Sequence, residues 1–238
     1  MSIYLDVIIP IYNEEKRLEK GLDKILNYLY SYTHYRFTVT CVLNGCNDRS
    51  YSICKEYGNK WPQVQYIKLN EKGKGLAVKT GMIESSARYR MMADIDFSIS
   101  PDNIPTMIEY IRSCGFDLVS CLRMIKYTNM ARRMAHGIYK ALAWPMARVN
   151  DPQTGFKLFT DQCANDIFNR DLLITGLGFD AEVLYLARKN GYKIKEIPFP
   201  YTEYGNSKIN LKSDSVKMAA DLIRLFFRSW IGFNHIKD

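Results

Sequence analysis

Short apolar runs alternate with segments of helical periodicity over residues 4–93, and this alternation limits the fold more than any other feature. Four short runs, of which 37–43 is rich in β-branched residues, predict strands at residues 4–9, 37–43, 64–69 and 89–93. Strands joined by helical crossovers lie parallel in one sheet. The chain is therefore predicted to adopt an α/β fold, with a mostly parallel central sheet flanked by helices.

The first helix is predicted at about residues 14–30, directly after the first strand. Pro10 would end that strand, and Asn13 would cap the helix. Leu18 and Leu22 begin an apolar stripe at helical spacing, which predicts the buried face of the helix.

Each predicted strand of this region is followed by a polar turn. The turns are residues 10–14, 44–48, 70–75 and 94–96. In an open α/β sheet the carboxyl ends of the strands share one edge, where ligands bind, so we expect the four turns to form one site. The Gly73-Lys74-Gly75 turn can present backbone N–H groups and a helix N-terminus to a phosphate, which favours a nucleotide ligand.

Two carboxylates, Asp94 and Asp96, follow the fourth strand. Residues two apart in a regular strand point to the same side, so the acids would repel each other unless a cation or a proton intervenes. A hard divalent ion, Mg²⁺ or Mn²⁺, is the natural partner of these oxygen ligands and could also hold a diphosphate. The alternative is a solvated acidic turn before a helix that starts near Ser100.

The remainder of the chain is less regular. It predicts helices at about 101–113 and 130–148, strands at 117–122 and 193–198, a turn into a strand at 151–159, and a helix opened by 178–182. The final helix, about 213–233, has a broad apolar face flanked by Lys217, Arg224 and Arg228. That amphipathic pattern is typical of a helix on a membrane surface or on a partner, and packing onto its own domain is the alternative.

Positive charge is concentrated in one segment. The net charge is +8, and residues 118–150 contain no Asp or Glu. The basic side chains of this segment are Arg123, Lys126, Arg132, Arg133, Lys140 and Arg148. An acid-free basic segment attracts anions such as phosphates, nucleic acid or an anionic membrane face. The alternative is a solvated surface that happens to lack acids.

Cysteine usage and hydropathy indicate the compartment. The six cysteines include no C-x-x-C pair, which is typical of reduced thiols in a cytosolic protein. No apolar run approaches the ~18 residues of a membrane span. The N-terminus lacks the basic and apolar regions of a signal peptide. We therefore expect a cytoplasmic protein that lies peripherally on the cytoplasmic face of a membrane.

Over nearly its whole length the sequence resembles the family-two glycosyltransferases of GT-A fold. Among them it is most similar to the polyprenyl-phosphate glycosyltransferases, above all the dolichyl-phosphate glucosyltransferases. The resemblance is carried by residues 7–15, 70–75 with Gly81, 94–96, 151–159, 178–182 with 196–198, and 206–208. The Gln-x-Gly-Phe-Lys-Leu-Phe run from Gln153, the Phe-Asp-x-Glu run from Phe179 and the Ser207-Lys208 pair are the segments more specific to the lipid-phosphate branch.

The resemblance implies a donor site. Its residues would be Pro10, Tyr12, Glu14, Asn44, Asp48, Lys74, Gly75 and Asp94. The first three would line the base and ribose of a nucleotide sugar, Lys74 would lie near the phosphates, and Asp94 with Asp96 would hold Mg²⁺ or Mn²⁺. The family usually has Asp-Asp-Gly-Ser where this chain has residues 44–48. A carboxylate that faces the base is therefore either missing or supplied by Asp48.

The resemblance also implies an acceptor site. Arg123, Arg133 and Lys208 would bind the acceptor phosphate, while Gln153 and Gly155 would shape the sugar and acceptor pocket. The catalytic candidates are Asp94, Asp96, Asp151 and Gln153.

The implied reaction is metal-dependent transfer of a sugar, with glucose from UDP-glucose as the best match, onto a polyprenyl or dolichyl phosphate with inversion at the anomeric carbon. Residues 1–205 would form one catalytic domain, with a donor half at 1–100 and an acceptor half at 101–205, and residues 206–238 a C-terminal loop and amphipathic helix. The implied partners are a nucleotide sugar, a polyprenyl phosphate and an anionic membrane surface. A homo-oligomer or a membrane partner is compatible with the sequence, and nucleic acid is not expected.

Two alternatives stay open from the sequence. A glycan or protein hydroxyl could replace the lipid phosphate as acceptor, and a base is then needed, with Asp151 the first candidate and Glu182 the second. A non-catalytic nucleotide or anion-binding module is the other alternative, which the altered turn at residues 44–48 supports.

Overall fold

The computed structural model describes residues 3–125, 130–202 and 211–231. The strands are β1 (Leu5–Ile11), β2 (Phe37–Asn44), β3 (Val64–Leu69), β4 (Tyr89–Ala93), β5 (Leu118–Met124), β6 (Phe156–Thr160) and β7 (Ile194–Pro200). The helices are α1 (Leu18–Tyr32), α2 (Ser50–Lys60), α3 (Lys74–Glu84), α4 (Ile104–Cys114), α5 (Met130–Ala147), α6 (Asp161–Phe168), α7 (Phe179–Lys189) and α8 (Leu211–Ile231). A short 3₁₀ turn, Pro101–Asn103, precedes α4.

Within the described residues one seven-stranded sheet has the order β3-β2-β1-β4-β6-β5-β7. Neighbouring strands are parallel from β3 through β4, and β5 is parallel to β7. Only β6 runs the other way, antiparallel to both β4 and β5. The predicted α/β fold with a mostly parallel sheet flanked by helices is confirmed.

The direction of β6 determines which loops meet. The carboxyl ends of β1 to β4 share one edge, as the sequence predicts, because these strands are parallel. Phe156, the first residue of β6, pairs with Ala93, the last residue of β4. The segment before β6 therefore arrives beside Asp94, although it belongs to the second half of the chain.

The beginning of α1 differs from the prediction. The helix starts at Leu18 with Arg17 at its N-cap position, and β1 continues through Pro10 to Ile11. The prediction that Asn13 caps this helix is wrong, because Asn13 has a φ of +53° and its side-chain oxygen accepts from the Asn47 N–H at 2.9 Å. Asn13 therefore joins the first polar turn to the second.

The sheet is buried on both faces, as is usual when helices cover a largely parallel sheet. Alternate residues of β1, such as Val7 and Ile9, belong to one apolar cluster together with α1 and α4. Ile8 between them belongs to a second cluster with α3, α5, α6 and α7. The sheet therefore packs between the two clusters, and this packing fixes the positions of the loops at the carboxyl edge of the sheet.

Helix α8 packs against its own domain through one face. Met218, Leu222 and Leu225 are buried in the second cluster, together with Tyr139 and Ala143 of α5. The final helix of the prediction is confirmed, and its buried face agrees with the alternative of intramolecular packing. No helix in residues 3–125, 130–202 and 211–231 combines the length and the apolar character needed to cross a membrane.

Candidate active site

A small cleft lies at the carboxyl edge of the sheet. It is lined by Asp94, Asp96, Phe97, Ser98, Ile99, Arg123, Gly155, Phe156 and Tyr201. The structure thus brings the two acids of the predicted donor half and an arginine of the predicted acceptor half to one opening. These groups are far apart in sequence, and the antiparallel β6 is what joins them.

The acid pair lies on a turn, and the strand has already ended before it. The Phe97 N–H donates to the Asp94 carbonyl at 3.0 Å, and the Ser98 N–H donates to Oδ1 of Asp96 at 3.0 Å. Phe97 is buried and has a φ of +42°, a conformation that non-glycine residues rarely adopt. The two carboxylates face one cleft because of this turn, and strand alternation is not the cause.

Each acid has a basic partner. Nζ of Lys74, the first residue of α3, lies 2.6 Å from Oδ1 of Asp94. Nη1 of Arg17 lies 3.7 Å from Oδ2 of Asp96, and the same guanidinium donates twice to the Glu14 carboxylate, at 2.8 Å each. These ion pairs bring the predicted donor residues Glu14, Lys74 and Asp94 together with Asp96, the second predicted metal ligand.

A second lysine–aspartate pair lies beneath the cleft. Nζ of Lys157 is 2.6 Å from Oδ1 of Asp180, and both side chains are buried. Lys157 also donates to the carbonyls of Pro152 and Thr154, which belong to the loop before β6. Burial raises the pKa of Asp180 above its ordinary value, against the lowering effect of Lys157 and Lys74. This ion pair therefore anchors the loop that contains Gln153 and Gly155.

Gly155 permits the closest approach in the site. A Cβ atom at this position would lie 2.0 Å from Oδ2 of Asp94. An alanine here would displace the Asp94 carboxylate, and glycine lets the loop before β6 approach the acid pair without that shift. The resemblance assigned Gly155 to the acceptor pocket, and in the structure it also packs directly on a predicted metal ligand.

The phosphate cradle predicted at Gly73-Lys74-Gly75 is not formed by bare N–H groups. The Gly75 and Leu76 N–H groups donate to the Thr175 carbonyl at 2.8 and 3.3 Å, and the Gly73 N–H donates to Oδ1 of Asn44 at 3.1 Å. That part of the prediction is wrong, because a loop from the second half of the chain already covers the N-terminus of α3. Gly75 serves close packing, since a Cβ there would lie 2.7 Å from Cβ of Phe179.

Two predicted base-binding residues bond within the protein. Nδ2 of Asn44 donates to the Ile11 carbonyl at 2.7 Å, and Asp48 accepts the N–H groups of Glu15 and Ser50 at 3.1 and 3.0 Å. These contacts shape the first two turns, and a contact with the nucleotide stays a prediction for both residues.

A half-buried aromatic ring belongs to the first of these turns. Tyr12 is half-buried, and Nζ of Lys72 lies 4.0 Å from the centre of its ring. Pro10, at the end of β1, is also half-buried. Their predicted contacts with the base and ribose stay predictions.

Arg123 on the acceptor side is fixed by a buried carboxylate. Its Nε and Nη2 donate to Asp151 at 2.6 and 2.8 Å, and the Asp151 side chain is 2% exposed. Burial alone would raise the pKa of Asp151, but the donors and charge of Arg123 hold that pKa below its ordinary value. Glu196 accepts the Asp151 N–H at 2.8 Å and so fixes the backbone here. An ionised, doubly bonded carboxylate is a poor proton acceptor, which disfavours Asp151 as a base.

The other acceptor candidates have different surroundings. Oε1 of Gln153 lies 3.0 Å from Nδ1 of His136 on α5, and Arg133 is exposed on the same helix. Burial, followed by the nearby charge of Arg123, lowers the pKa of His136. Lys208 lies outside the described residues.

Glu182, the second base candidate, has a structural contact. It is buried and accepts the N–H groups of Leu173 and Ile174, both at 2.8 Å. Those bonds fix the loop whose Thr175 covers the N-terminus of α3.

The acid pair fits a divalent metal bound together with a ligand. Groups of three or more His, Cys, Asp or Glu side chains that could hold a metal do not occur within the described residues. Asp94 and Asp96 therefore supply at most part of the ligand shell. Mg²⁺ commonly binds through one or two carboxylates, with water and substrate phosphates as its remaining ligands, and this donor set agrees with that pattern.

Comparison with known families identifies the protein class. The profile of glycosyl transferase family 2 matches residues 6–177, which contain β1 except its first residue and every element from α1 to α6. The chain belongs to glycosyl transferase family 2. It is therefore a glycosyltransferase, as the sequence resemblance predicts.

Curated relatives match this family-two glycosyltransferase over its full length. It is 30% identical over 256 residues to the dolichyl-phosphate beta-glucosyltransferase of Dictyostelium discoideum, covering 100% of this chain and 78% of that protein. It is 27% identical over 249 residues to the human protein of the same name, covering 96% of this chain and 76% of the human one.

Solved structures confirm the GT-A fold. Glucosyl-3-phosphoglycerate synthase of Mycobacterium tuberculosis, crystallised with Mn²⁺, UDP and glucosyl-3-phosphoglycerate, superposes with a TM-score of 0.72 at 16% identity, over 93% of this chain and 79% of that one. The complex of the same enzyme with Mn²⁺ and UDP-glucose has a TM-score of 0.70 at 15% identity, over 98% and 80% of the two chains. At this identity the likeness establishes the fold.

Several residues of this candidate site could not be found from the sequence. Arg17 and Tyr201 belong to no recognisable motif. Lys157 belongs to the Gln-x-Gly-Phe-Lys-Leu-Phe run, but the run gives it no separate role. Arg17 follows Glu14 by three positions, a spacing that favours an ion pair on a helical turn and could have indicated its role. Nothing in the sequence indicates that Lys157 is buried.

Proposed function

We propose that this protein transfers glucose from UDP-glucose to a dolichyl or other polyprenyl phosphate, in a metal-dependent reaction that inverts the anomeric carbon. One observation carries the proposal: Asp94 and Asp96 line the same cleft as Arg123. Transfer of a sugar from a nucleoside diphosphate to a phosphate requires two features at one opening. These are a site for the metal and the diphosphate, and a cation that binds the acceptor phosphate. The names of the full-length relatives support this choice of donor sugar and acceptor.

The donor side contributes binding and charge. Asp94 and Asp96 would hold Mg²⁺ or Mn²⁺, as the Mn²⁺ and UDP in the structural neighbour support. A bound divalent ion stabilises the negative charge that develops on a departing nucleoside diphosphate. Lys74 adds a positive charge beside Asp94, in a position to act on the same leaving group.

The acceptor side contributes orientation. A phosphate is already ionised at neutral pH, so the transfer needs no general base, in agreement with the pairing of Asp151 to Arg123. With Asp151 bound to one edge of its guanidinium, Arg123 is held at the cleft, where it can bind an incoming phosphate. Fixing the acceptor near the anomeric carbon supplies much of the rate increase.

The two halves of the chain that the sequence predicts would bind different substrates. We assign residues 1–100 to donor binding and 101–205 to acceptor binding, with 206–238 as a loop and helix that serve the acceptor side. Arg133 and the segment that contains Lys208 would extend the acceptor site beyond Arg123.

Two neighbouring helices supply a surface for the membrane in which such an acceptor resides. Four exposed side chains recur every four residues along α5, at Met130, Met134, Ile138 and Leu142. On α8 the exposed apolar side chains are Val216, Ile223, Phe226 and Phe227. The basic Arg133, Lys217 and Arg224 are also exposed on these helices. An apolar surface with flanking cations binds anionic membranes, so we place the enzyme on the cytoplasmic face of one.

The reaction is tested with purified protein, UDP-glucose and Mn²⁺, with either a short polyprenyl phosphate or the matching polyprenol. We expect a glucolipid, and stoichiometric UDP release, only with the phosphate. Equal transfer to the polyprenol would overturn the phosphate acceptor and restore the hydroxyl alternative. The absence of metal-dependent nucleotide binding would overturn the donor site as well.

Membrane binding is tested separately by sedimentation with vesicles. We expect the protein to bind vesicles that contain phosphatidylserine, and the variant Phe226→Ser/Phe227→Ser to bind several-fold less. Tyr51→Ser/Tyr66→Ser removes two exposed aromatic rings from α2 and the edge strand β3, outside the α5 and α8 surface, and should bind as the wild type does. Equal loss in both variants would contradict the assignment of the surface to α5 and α8.

A further inference from the structure

Lys74 holds the carboxylate that the proposed metal needs. Its ammonium lies 2.6 Å from Oδ1 of Asp94, while Asp94 keeps 45% of its side-chain surface exposed to the cleft. An ammonium and a divalent ion repel each other when both bind one carboxylate. Lys74 therefore has to give up at least part of this contact when Asp94 turns to a metal.

The backbone at Lys74 is fixed, so the side chain must make that movement. The flanking Gly73 and Gly75 are both buried, and their N–H groups are bonded to Asn44 and Thr175. A Cβ atom on Gly73 would lie 2.8 Å from the Thr175 carbonyl oxygen, which shows how tightly the turn is enclosed. The flexible four-carbon stem of the lysine is the part that is free to turn.

Asp94 is not the only carboxylate near the Lys74 ammonium. The negative charge of Asp180 also acts on this ammonium. Asp180 is bonded to Lys157 at 2.6 Å and is buried, so it stays in place when Asp94 changes partner. The ammonium can therefore leave Asp94 without losing all of its negative surroundings.

Asp96, the other acid, has no such close contact with a lysine within the described residues. Nη1 of Arg17 is 3.7 Å from Asp96, a longer contact, and its guanidinium is already doubly bonded to Glu14. Asp94 is thus the acid whose availability is controlled by a removable cation.

We infer that Lys74 is an exchangeable counter-ion, which occupies Asp94 in the unliganded protein and moves its ammonium to the diphosphate of the donor when Asp94 binds the metal. This inference rests on the proposed function. It makes the free enzyme a weak metal binder, since the metal competes with Lys74 until a nucleotide draws the ammonium away. Metal and nucleotide then bind with positive coupling that has a contribution from this residue.

The test measures Mn²⁺ affinity by electron paramagnetic resonance without nucleotide, and UDP affinity by calorimetry in EDTA. Lys74→Met should bind Mn²⁺ about two- to fivefold more tightly than the wild type, the range expected when a partly exposed ion pair no longer competes. The same variant should bind UDP in EDTA more weakly, because the diphosphate loses an ammonium. Lys74→Gln provides a second variant in case the methionine disturbs folding.

Lys72→Met is the matched control. It removes one positive charge from the same turn, but Nζ of Lys72 lies over the Tyr12 ring and makes no contact with Asp94. We expect its Mn²⁺ affinity without nucleotide to stay within a factor of two of the wild type.

The outcomes separate the inference from the proposed function. Unchanged or weaker Mn²⁺ binding by both Lys74 variants would overturn the exchange and make Lys74 a fixed support of Asp94. In that case, loss of Mn²⁺ binding in Asp94→Asn would show that the metal site itself is correctly assigned. No Mn²⁺ binding by the wild type, with or without UDP, would overturn the proposed function together with the inference.

Discussion

Two lysine–aspartate pairs lie at the same edge of the sheet, and they differ in depth. Lys74 and Asp94 are 2.6 Å apart with side chains 22% and 45% exposed. Lys157 and Asp180 are also 2.6 Å apart, but their side chains are only 1% and 3% exposed. The two ion pairs thus have equal N–O distances, but only the Lys74–Asp94 pair is accessible to solvent and ligands.

The difference in depth separates a pair that can change partners from one that cannot. Water or a ligand can replace either member of the upper pair at small cost, because an exposed ion pair contributes little free energy. Breaking the lower pair would leave an uncompensated charge in the interior, which costs far more. We therefore assign chemistry to Lys74 and Asp94, and support of the loop before β6 to Lys157 and Asp180.

The largest effect is expected from the lower pair. Lys157→Met leaves Asp180 buried without its partner and should lower the free energy of unfolding by about 3–5 kcal/mol. Urea denaturation at constant pH measures this loss. The double variant Lys157→Met/Asp180→Leu should recover most of it, because an apolar pair removes both charges. A single variant as stable as the wild type would show that depth does not separate the two pairs.

The upper pair should respond in activity and hardly in stability. Asp94→Asn should reduce sugar transfer by about 10²-fold, or about 2.7 kcal/mol, because under the proposed function this carboxylate binds the metal that holds the diphosphate. Its melting temperature should stay close to that of the wild type. Glu109→Gln, which removes an exposed carboxylate from α4, is the control and should retain full transfer. A large drop in melting temperature for Asp94→Asn would give the upper pair a structural role.

A smaller effect is expected where the loop before β6 contacts the upper pair. In Gly155→Ala the added Cβ overlaps Asp94, so the carboxylate must shift, and transfer should fall about tenfold, or about 1.4 kcal/mol. Gly176→Ala is the matched control, because no atom lies within 4 Å of its added Cβ. Kinetic assays with both variants decide the matter. Full activity of Gly155→Ala would mean that the position of Asp94 is less constrained than the structure indicates.

The smallest effect concerns Arg123 and Asp151, a pair of intermediate depth. The pKa of Asp151 lies below its ordinary value in the folded protein, mainly because of the bonds from Arg123, which overcome the effect of burial. Its contribution to stability is present above the unfolded pKa of ~3.9 and is lost as pH falls through the lowered folded value. Unfolding free energy should therefore decline more steeply below about pH 4 in the wild type than in Asp151→Asn. Parallel curves would contradict this assignment.

Local patterns allowed much of the fold to be predicted. Strands β3 and β4 have the predicted bounds, and the four polar turns share one edge, because periodicity and turn residues act over a few positions. The boundary at Asn13 was wrong for the opposite reason. Its side chain bonds to Asn47 in another turn, and this contact prevails over its local preference for capping.

The candidate site was predictable only in part. Asp94, Asp96 and Arg123 are brought to one cleft, in agreement with the resemblance. The sequence could not show that Thr175 covers the N-terminus of α3, or that Asp151 is held by Arg123. Such contacts depend on which loops meet after the sheet has formed.

Local patterns of residues were enough to specify the alternation of strands and helices, the edge at which the polar turns gather, and the family to which the chain belongs. Tertiary structure alone decided that β6 enters antiparallel beside β4 and places Gly155 against Asp94. It also decided the depth of each ion pair, and with it which lysine is free to move. The physical reason is that hydrophobic periodicity is a local property, whereas burial and charge pairing arise between segments far apart in the chain.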